Sequence, residues 1–282
     1  MTFTQWLSKV FGPRMQAARA SRRGKSRQRS GYRCVPRLDF LEDRLAPAIL
    51  TVNSSADNIT DTSDLTLRQA ILATQGSYTP TGVQLNQISG MLGSHNDTIQ
   101  FSSAIDGQTI FLSSAVSTIV GAEAFSIPNG DTLVLDGETG LTQGITIGRN
   151  SATPFRLFYV DTTANLTLQG LTLSGGRAQG GAGGGPRGGP GGGGAAGLGG
   201  AIFNQGTLTI QDSTLTGNTA HGGAGGNAVF GQAGSGGGGL GSAGSNGGAN
   251  FGGAGGGPNG GQGGYAAPSS TSFNGKNGYF GG

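Results

Sequence analysis

The chain has 282 residues, of which 60 are Gly, 34% are hydrophobic and 11% are charged, with a formal net charge of +3. An average chain carries about 7% Gly and about 25% charged residues, so one ordinary compact enzyme domain over this whole length is excluded. Fifteen glycines lie up to Gly170 and 45 in the 112 residues from Leu171 onward, while residues 1–48 hold 11 Lys and Arg against three acids and the remainder holds 6 against 11. The chain is therefore a mosaic whose basicity sits in its leader, and no nucleic-acid binding is expected of the acidic body.

The leader, residues 1–48, begins with Phe3, Trp6, Leu7, Val10 and Phe11 at helical spacing, followed by Arg14, Arg19, Arg22, Arg23, Lys25, Arg27 and Arg29. Two readings stay open: a short helix lying on an anionic membrane surface, or a disordered basic tail. A secretory signal would place an apolar run after its positive end, and the order here is reversed. Ala46-Pro47-Ala48 has the small residues of a cleavage site, but neither a secretory nor a twin-arginine signal is complete. Gly24-Lys25-Ser26 fails as a phosphate loop because Arg19 stands where Gly is needed and no strand precedes it. Leu38-Asp39-Phe40-Leu41-Glu42-Asp43-Arg44-Leu45-Ala46-Pro47-Ala48 resembles a leader motif, LExR, two residues, then PA, of large bacterial surface and secreted proteins. The resemblance implies export or surface display with a body beginning near Ile49. The partner expected for the leader is an anionic membrane or the export machinery. The alternative is a cytoplasmic chain with a basic arm.

In the body, residues 49–220, Thr66 with Gln69 makes a capping box, and Leu67, Ala70 and Ile71 share one face, which predicts a short cap helix within 64–74. Downstream, apolar and Thr or polar residues alternate at period two in Thr98–Phe101, Thr109–Leu112, Thr132–Leu135, Ile145–Ile147, Leu166–Leu168 and Leu208–Ile210. Such short strands need stacking on copies of themselves. A slide of 42 lays Asn165–Ala178 over Thr207–Ala220, so that Leu166, Leu168 and Leu173 meet Leu208, Ile210 and Leu215, and Leu133–Gly137 is a weaker third copy. About twenty of the 42 residues form a Gly-rich insert, 179–198. The fold expected is all-β, a right-handed parallel β-helix of few rungs with aliphatic columns inside and Thr outside; an antiparallel sandwich is second.

Leu65-Thr66-Leu67-Arg68-Gln69-Ala70-Ile71 resembles a CSLREA-type segment without its Cys. Gly199–Ile210 and Ser213–Ala220 resemble polymorphic outer-membrane protein repeats with their GGAI and xxGN elements. This resemblance, over roughly Ile49 to Ala220, implies a right-handed parallel β-helix on a bacterial surface or in secretions, often adhesive, with no shared catalytic set. Those proteins are usually much longer.

The glycine-rich stretches, within the insert and in the tail, 221–282, lack the three-residue register of collagen, and no Asp or Glu follows Asp212 for a calcium-binding roll. A flexible, low-complexity linker is expected ahead of polyglycine II packing, because the residues between the Gly pairs are irregular. Phe230, Phe251, Tyr265, Phe273, Tyr279 and Phe280 are candidate contact aromatics.

No catalytic, cofactor or metal residues are expected. At the 42-residue offset Asp212 meets Gly170 and Asp161 meets Phe203, and the third copy puts Asp136 against Gln169, so no carboxylate column for lyase or hydrolase chemistry forms and all three read as turn residues. His95 and His221 are lone loop residues without a second ligand at metal spacing. Cys34 sits among basic residues that would raise its reactivity, and it excludes any internal disulfide framework. Asn53, Asn58, Asn96 and Asn165 match the glycosylation triplet, at a frequency coincidence explains. No run of about 18 apolar residues predicts a membrane span. The function expected is non-enzymatic: a structural or adhesive scaffold that binds glycan or another cell surface. A polysaccharide lyase or hydrolase is the alternative.

Overall fold

The computed structural model describes residues 46–118, 120–185, 191–227, 234–247, 253–257 and 260–263. The expectations for the leader up to residue 45, for Cys34 and for the six tail aromatics fall outside the described residues.

The alternating segments become strands because period two sends one row of aliphatics inward while the other row stays polar. The first coil starts with β1 (Ile49–Val52), continues into α1 (Leu67–Thr74), and returns through β2 (Ile88–Ser89), which runs antiparallel to β1. The second holds β3 (Asn96–Phe101), β4 (Thr109–Leu112) and the antiparallel pair β5 (Val116–Thr118) and β6 (Gly121–Ile127). The third holds β7 (Thr132–Asp136), β8 (Ile145–Arg149) and β9 (Arg156–Val160). The fourth holds β10 (Asn165–Gln169), β11 (Leu171–Ser174) and β12 (Arg177–Gln179). After the insert come β13 (Ile202–Asn204), β14 (Thr207–Gln211), β15 (Thr214–Thr216) and β16 (Thr219–His221).

The strands line up as β2-β1-β3-β7-β10-β14, β4-β8-β11-β15, β5-β6-β9-β13 and β12-β16, with every pairing parallel except β1–β2 and β5–β6. This is a right-handed parallel β-helix, and it displaces the antiparallel sandwich. The 42-residue register holds: Leu166 pairs with Leu208, Leu168 with Ile210, and Leu173 with Leu215. The copy at Leu133–Gly137 is a full coil rather than a weak echo, with Leu133 on Leu166 and Leu135 on Leu168. Columns such as Leu50–Ile99–Leu135–Leu168 are buried throughout, each side chain contributing about 1.5–3 kcal/mol.

At the N-terminal end, Thr66 Oγ1 accepts the Gln69 amide at 3.2 Å and Gln69 Oε1 accepts the Thr66 amide at 3.0 Å, the reciprocal box expected. Leu65, Leu67, Ala70 and Ile71 are buried. The helix closes the core at that end, leaving Ile110 and Leu112 of β4 fully buried.

The expectation of a flexible linker is corrected. The described glycine segments form a hydrogen-bonded array with a three-residue repeat. Gly180 and Gly183 amides donate to His221 and Ala224 carbonyls, Gly181 and Gly184 to Gly239 and Gly236, and Gly223 and Gly226 to Ala195 and Gly192. Steps of three on both sides of each ladder match the three residues per turn of a polyproline II-type chain, so this is polyglycine II packing. Close approach explains the composition: a Cβ on Gly223 or Gly226 would lie 1.9 or 1.8 Å from a carbonyl oxygen, whereas one on Gly222 or Gly225 would have 3.5 or 3.9 Å. Residues at the third positions, His221, Ala224 and Asn227, are exposed, so their irregularity does not oppose packing. The chain leaves the coil after Gln179 and re-enters at Ile202, a slightly longer insert than 179–198.

Candidate functional site

Two outward faces carry polar ladders, the first of which includes the Asp136 carboxylate in register between Gln100 and Gln169. On the sheet containing β7, β10 and β14, Asn165 Nδ2 donates to Thr132 Oγ1 at 3.2 Å and Gln169 Nε2 donates to Gln211 Oε1 at 2.8 Å, tying successive coils together. On the β4-β8-β11-β15 sheet, Thr109, Thr146, Thr172 and Thr214 follow one another in register. Beside them runs a second column, Phe111–Gly148–Ser174–Thr216. Parallel pairing sets its step at about 4.8 Å. Phe111 is 55% exposed and faces Gly148 of the next coil, so its ring lies uncovered beside the hydroxyl column. It was not singled out from the sequence, although an aromatic at an outward position of Thr109-Ile110-Phe111-Leu112 is the signal that marks it.

Carboxylates appear where the turn reading placed them. Asp136 accepts the Glu138 and Thr139 amides at 2.9 and 3.0 Å, together with the Thr139 hydroxyl. Burial pushes its pKa up, but hydrogen bonds from Thr139, Glu138 and Gln100 outweigh this and hold it below the usual carboxylate range. Asp212 occupies a left-handed turn position with φ 46°. Asp136 pairs with Gln169, as expected. The expected match of Asp161 with Phe203 is corrected: Tyr159 pairs with Phe203, and Val160 with Asn204. The later turn is two residues shorter, and Gly206 makes this possible, since a Cβ there would lie 2.3 Å from the carbonyl oxygens of both Asp161 and Ala164.

His95 is not alone: its Nδ1 lies 2.6 Å from Asp131 Oδ1, and its backbone is left-handed with φ 56°. His221 ends β16 rather than lying in a loop, and is exposed. Among the described residues no group of three or more His, Cys, Asp or Glu is placed to hold a metal ion, and no helix is long and apolar enough to cross a membrane.

A second cluster lies on the β6-β9-β13 sheet. Arg156 sits over the Phe203 ring at 5.2 Å and donates to the Val120 carbonyl at 3.0 Å and the Glu123 carboxylate at 3.4 Å. Burial lowers its pKa, opposed by Glu123. Tyr159 stacks on Phe203, and its hydroxyl, with one proton to donate, lies 3.1 Å from Asp161 Oδ1 and 2.8 Å from Gln205 Oε1; burial, then Asp161, push its pKa up to about 12. Arg156, Glu123 and Tyr159 are buried, so this cluster braces the sheet and offers little to a ligand. A cleft of about 330 Å³ beside α1 is lined by Ile59, Arg68, Ile71, Leu72, Val116 and Phe125. Its one charged group is already engaged: Arg68 donates to Asp57 at 2.6 Å and to the Ser114 and Ala124 carbonyls.

Neither a family model, nor a curated protein, nor a solved structure matches the chain.

Proposed function

We propose that the chain is an exported or surface-displayed, non-enzymatic scaffold that binds glycan or another cell surface through its outward ladders. The observation that carries this reading is the four-coil face of Thr109, Thr146, Thr172 and Thr214 beside exposed Phe111. Hydroxyls at one spacing hydrogen-bond sugar hydroxyls without the desolvation cost of buried charge, and an uncovered ring stacks on the apolar face of a pyranose. The LExR…PA leader and the CSLREA-type and outer-membrane-repeat segments support export and a surface role, with the leader engaging an anionic membrane or the export machinery.

The test is a glycan-array and cell-binding screen of the full chain beside Phe111→Ala and Thr172→Lys variants. Binding reduced roughly tenfold or more by Phe111→Ala, the loss of one aromatic contact, is the expected result. Uniformly negative binding, or turnover of an acidic polysaccharide by the full chain, overturns the proposal.

A further inference from the structure

The two ends of the solenoid differ. At the N-terminal end α1 and the segment around Asp57 close the column, Asp57 Oδ2 accepting the Ser113 amide at 2.8 Å, and the inward residues of β4 are fully buried. At the other end the columns continue into the last coil and stop uncovered: Ile210 is 41% exposed and Leu215 45%, although each is in register with a fully buried Leu beneath it. The strands of that coil, β13 to β16, are the edge members of all four sheets. They carry no Lys, Arg, Asp, Glu or Pro, the residues with which proteins normally block strand addition.

We infer that this end is a self-association surface on which a second copy of the chain stacks tail to tail. The occupant follows from the sequence of β14, Thr207-Leu208-Thr209-Ile210-Gln211, whose two inward residues flank Thr209 symmetrically. A two-fold axis at Thr209 sets the strands antiparallel, opposes Leu208 with Ile210 of the partner subunit, and keeps both aliphatic rows inside. The open backbone groups of β14 are satisfied at the same time. Asp212 is the one acid of the last coil, so like charge opposes the approach little. Residues 264–282 of the same chain are a poorer occupant, because Gly, Ser and Asn dominate them and no period-two aliphatic row exists there. The cap at the other end stops growth at two copies.

The test uses sedimentation of the full chain over a concentration series. The expected result is a reversible dimer whose dissociation constant rises roughly 30-fold or more in Ile210→Lys, as for loss of one central interface residue, with circular dichroism unchanged. Should that variant not fold, Thr209→Cys in a Cys34→Ser background gives the second readout. It forms a disulfide-linked dimer on oxidation, whereas Thr51→Cys at the capped end in the same background does not. A chain that stays monomeric at every concentration, a dimer that both Ile210→Lys and Leu215→Lys leave intact, or a dimer that appears only when residues 264–282 are deleted overturns the inference.

Discussion

Asp106 shows how much of this fold is held by single turn residues. Its carboxylate accepts the Thr142 hydroxyl and the Thr142, Gln143 and Gly144 amides between 2.7 and 3.0 Å, and these bonds, the Thr142 hydroxyl first, hold its pKa at about 2. The folded value lies below the unfolded carboxylate value of about 3.9. Its contribution is therefore fully present above pH 4 and is lost as pH falls through about 2. Asp106→Asn is expected to flatten the pH dependence of the urea midpoint in that window, while leaving its slope above pH 5 unchanged. The glycines give a sharper pair. Gly223→Ala would put a methyl 1.9 Å from the Gly181 carbonyl oxygen, whereas Gly222→Ala meets Ala195 O at 3.5 Å. Hydrogen exchange should show Gly180, Gly183 and Gly226 amides deprotected by the first substitution, by on the order of 2 kcal/mol for the two or three bonds disturbed. The second should change them by less than about 0.5 kcal/mol.

At the scale of the element, the cap and the columns respond differently. Thr66→Ala removes the acceptor for the Gln69 amide and should cost about 1 kcal/mol in urea unfolding. Leu168→Ala, fully buried between coils, should cost about 2–5 kcal/mol. Ile210→Ala in the same column, already 41% exposed, should cost clearly less in the monomer. The columns are legible in the sequence because Leu133, Leu166 and Leu208 repeat at the same phase of a period-two pattern, and the cap because Thr66 and Gln69 sit at capping-box spacing. The β9 sheet is not legible. Arg156-Leu157-Phe158-Tyr159-Val160 is buried at every position, so the alternation that marks a half-exposed strand vanishes: Arg156 and Tyr159 lie against Phe203, and the Leu240 carbonyl of the glycine array would approach a Gly121 Cβ to 3.0 Å. The array itself hides because its constraint falls on the crowded Gly positions, while the eye tests the free third residue for regularity. Phe111 is marked outward by alternation with Ile110 and Leu112, but only its register with Gly148 shows that the ring is left uncovered.

At the scale of the whole molecule, the small residues Ala46-Pro47-Ala48, expected from the sequence to end the leader, pack with the first coil. A cut after Ala48 would leave a body beginning at Ile49, yet Ala48 is fully buried, and its amide donates to Asp97 Oδ1 at 2.9 Å. Asp97, in β3 of the second coil, is itself buried and accepts the Ser94 hydroxyl, and its Oδ2 has no hydrogen-bond partner among the described residues, so loss of the Ala48 amide would leave a poorly satisfied carboxylate between the first two coils. Pro47 is equally committed: Gly90, at φ 84°, approaches so near that a Cβ there would lie 2.4 Å from the Pro47 carbonyl oxygen. The Ala46 carbonyl accepts the Met91 amide at 3.2 Å. Residues 46–48 thus belong to the first coil, and removing them would cost on the order of 1–3 kcal/mol for the stranded Asp97 alone. On the proposed export reading, mass spectrometry of the natively produced protein should find a mature N-terminus at or before Ala46. A mature chain starting at Ile49 with unchanged thermal stability would contradict this boundary.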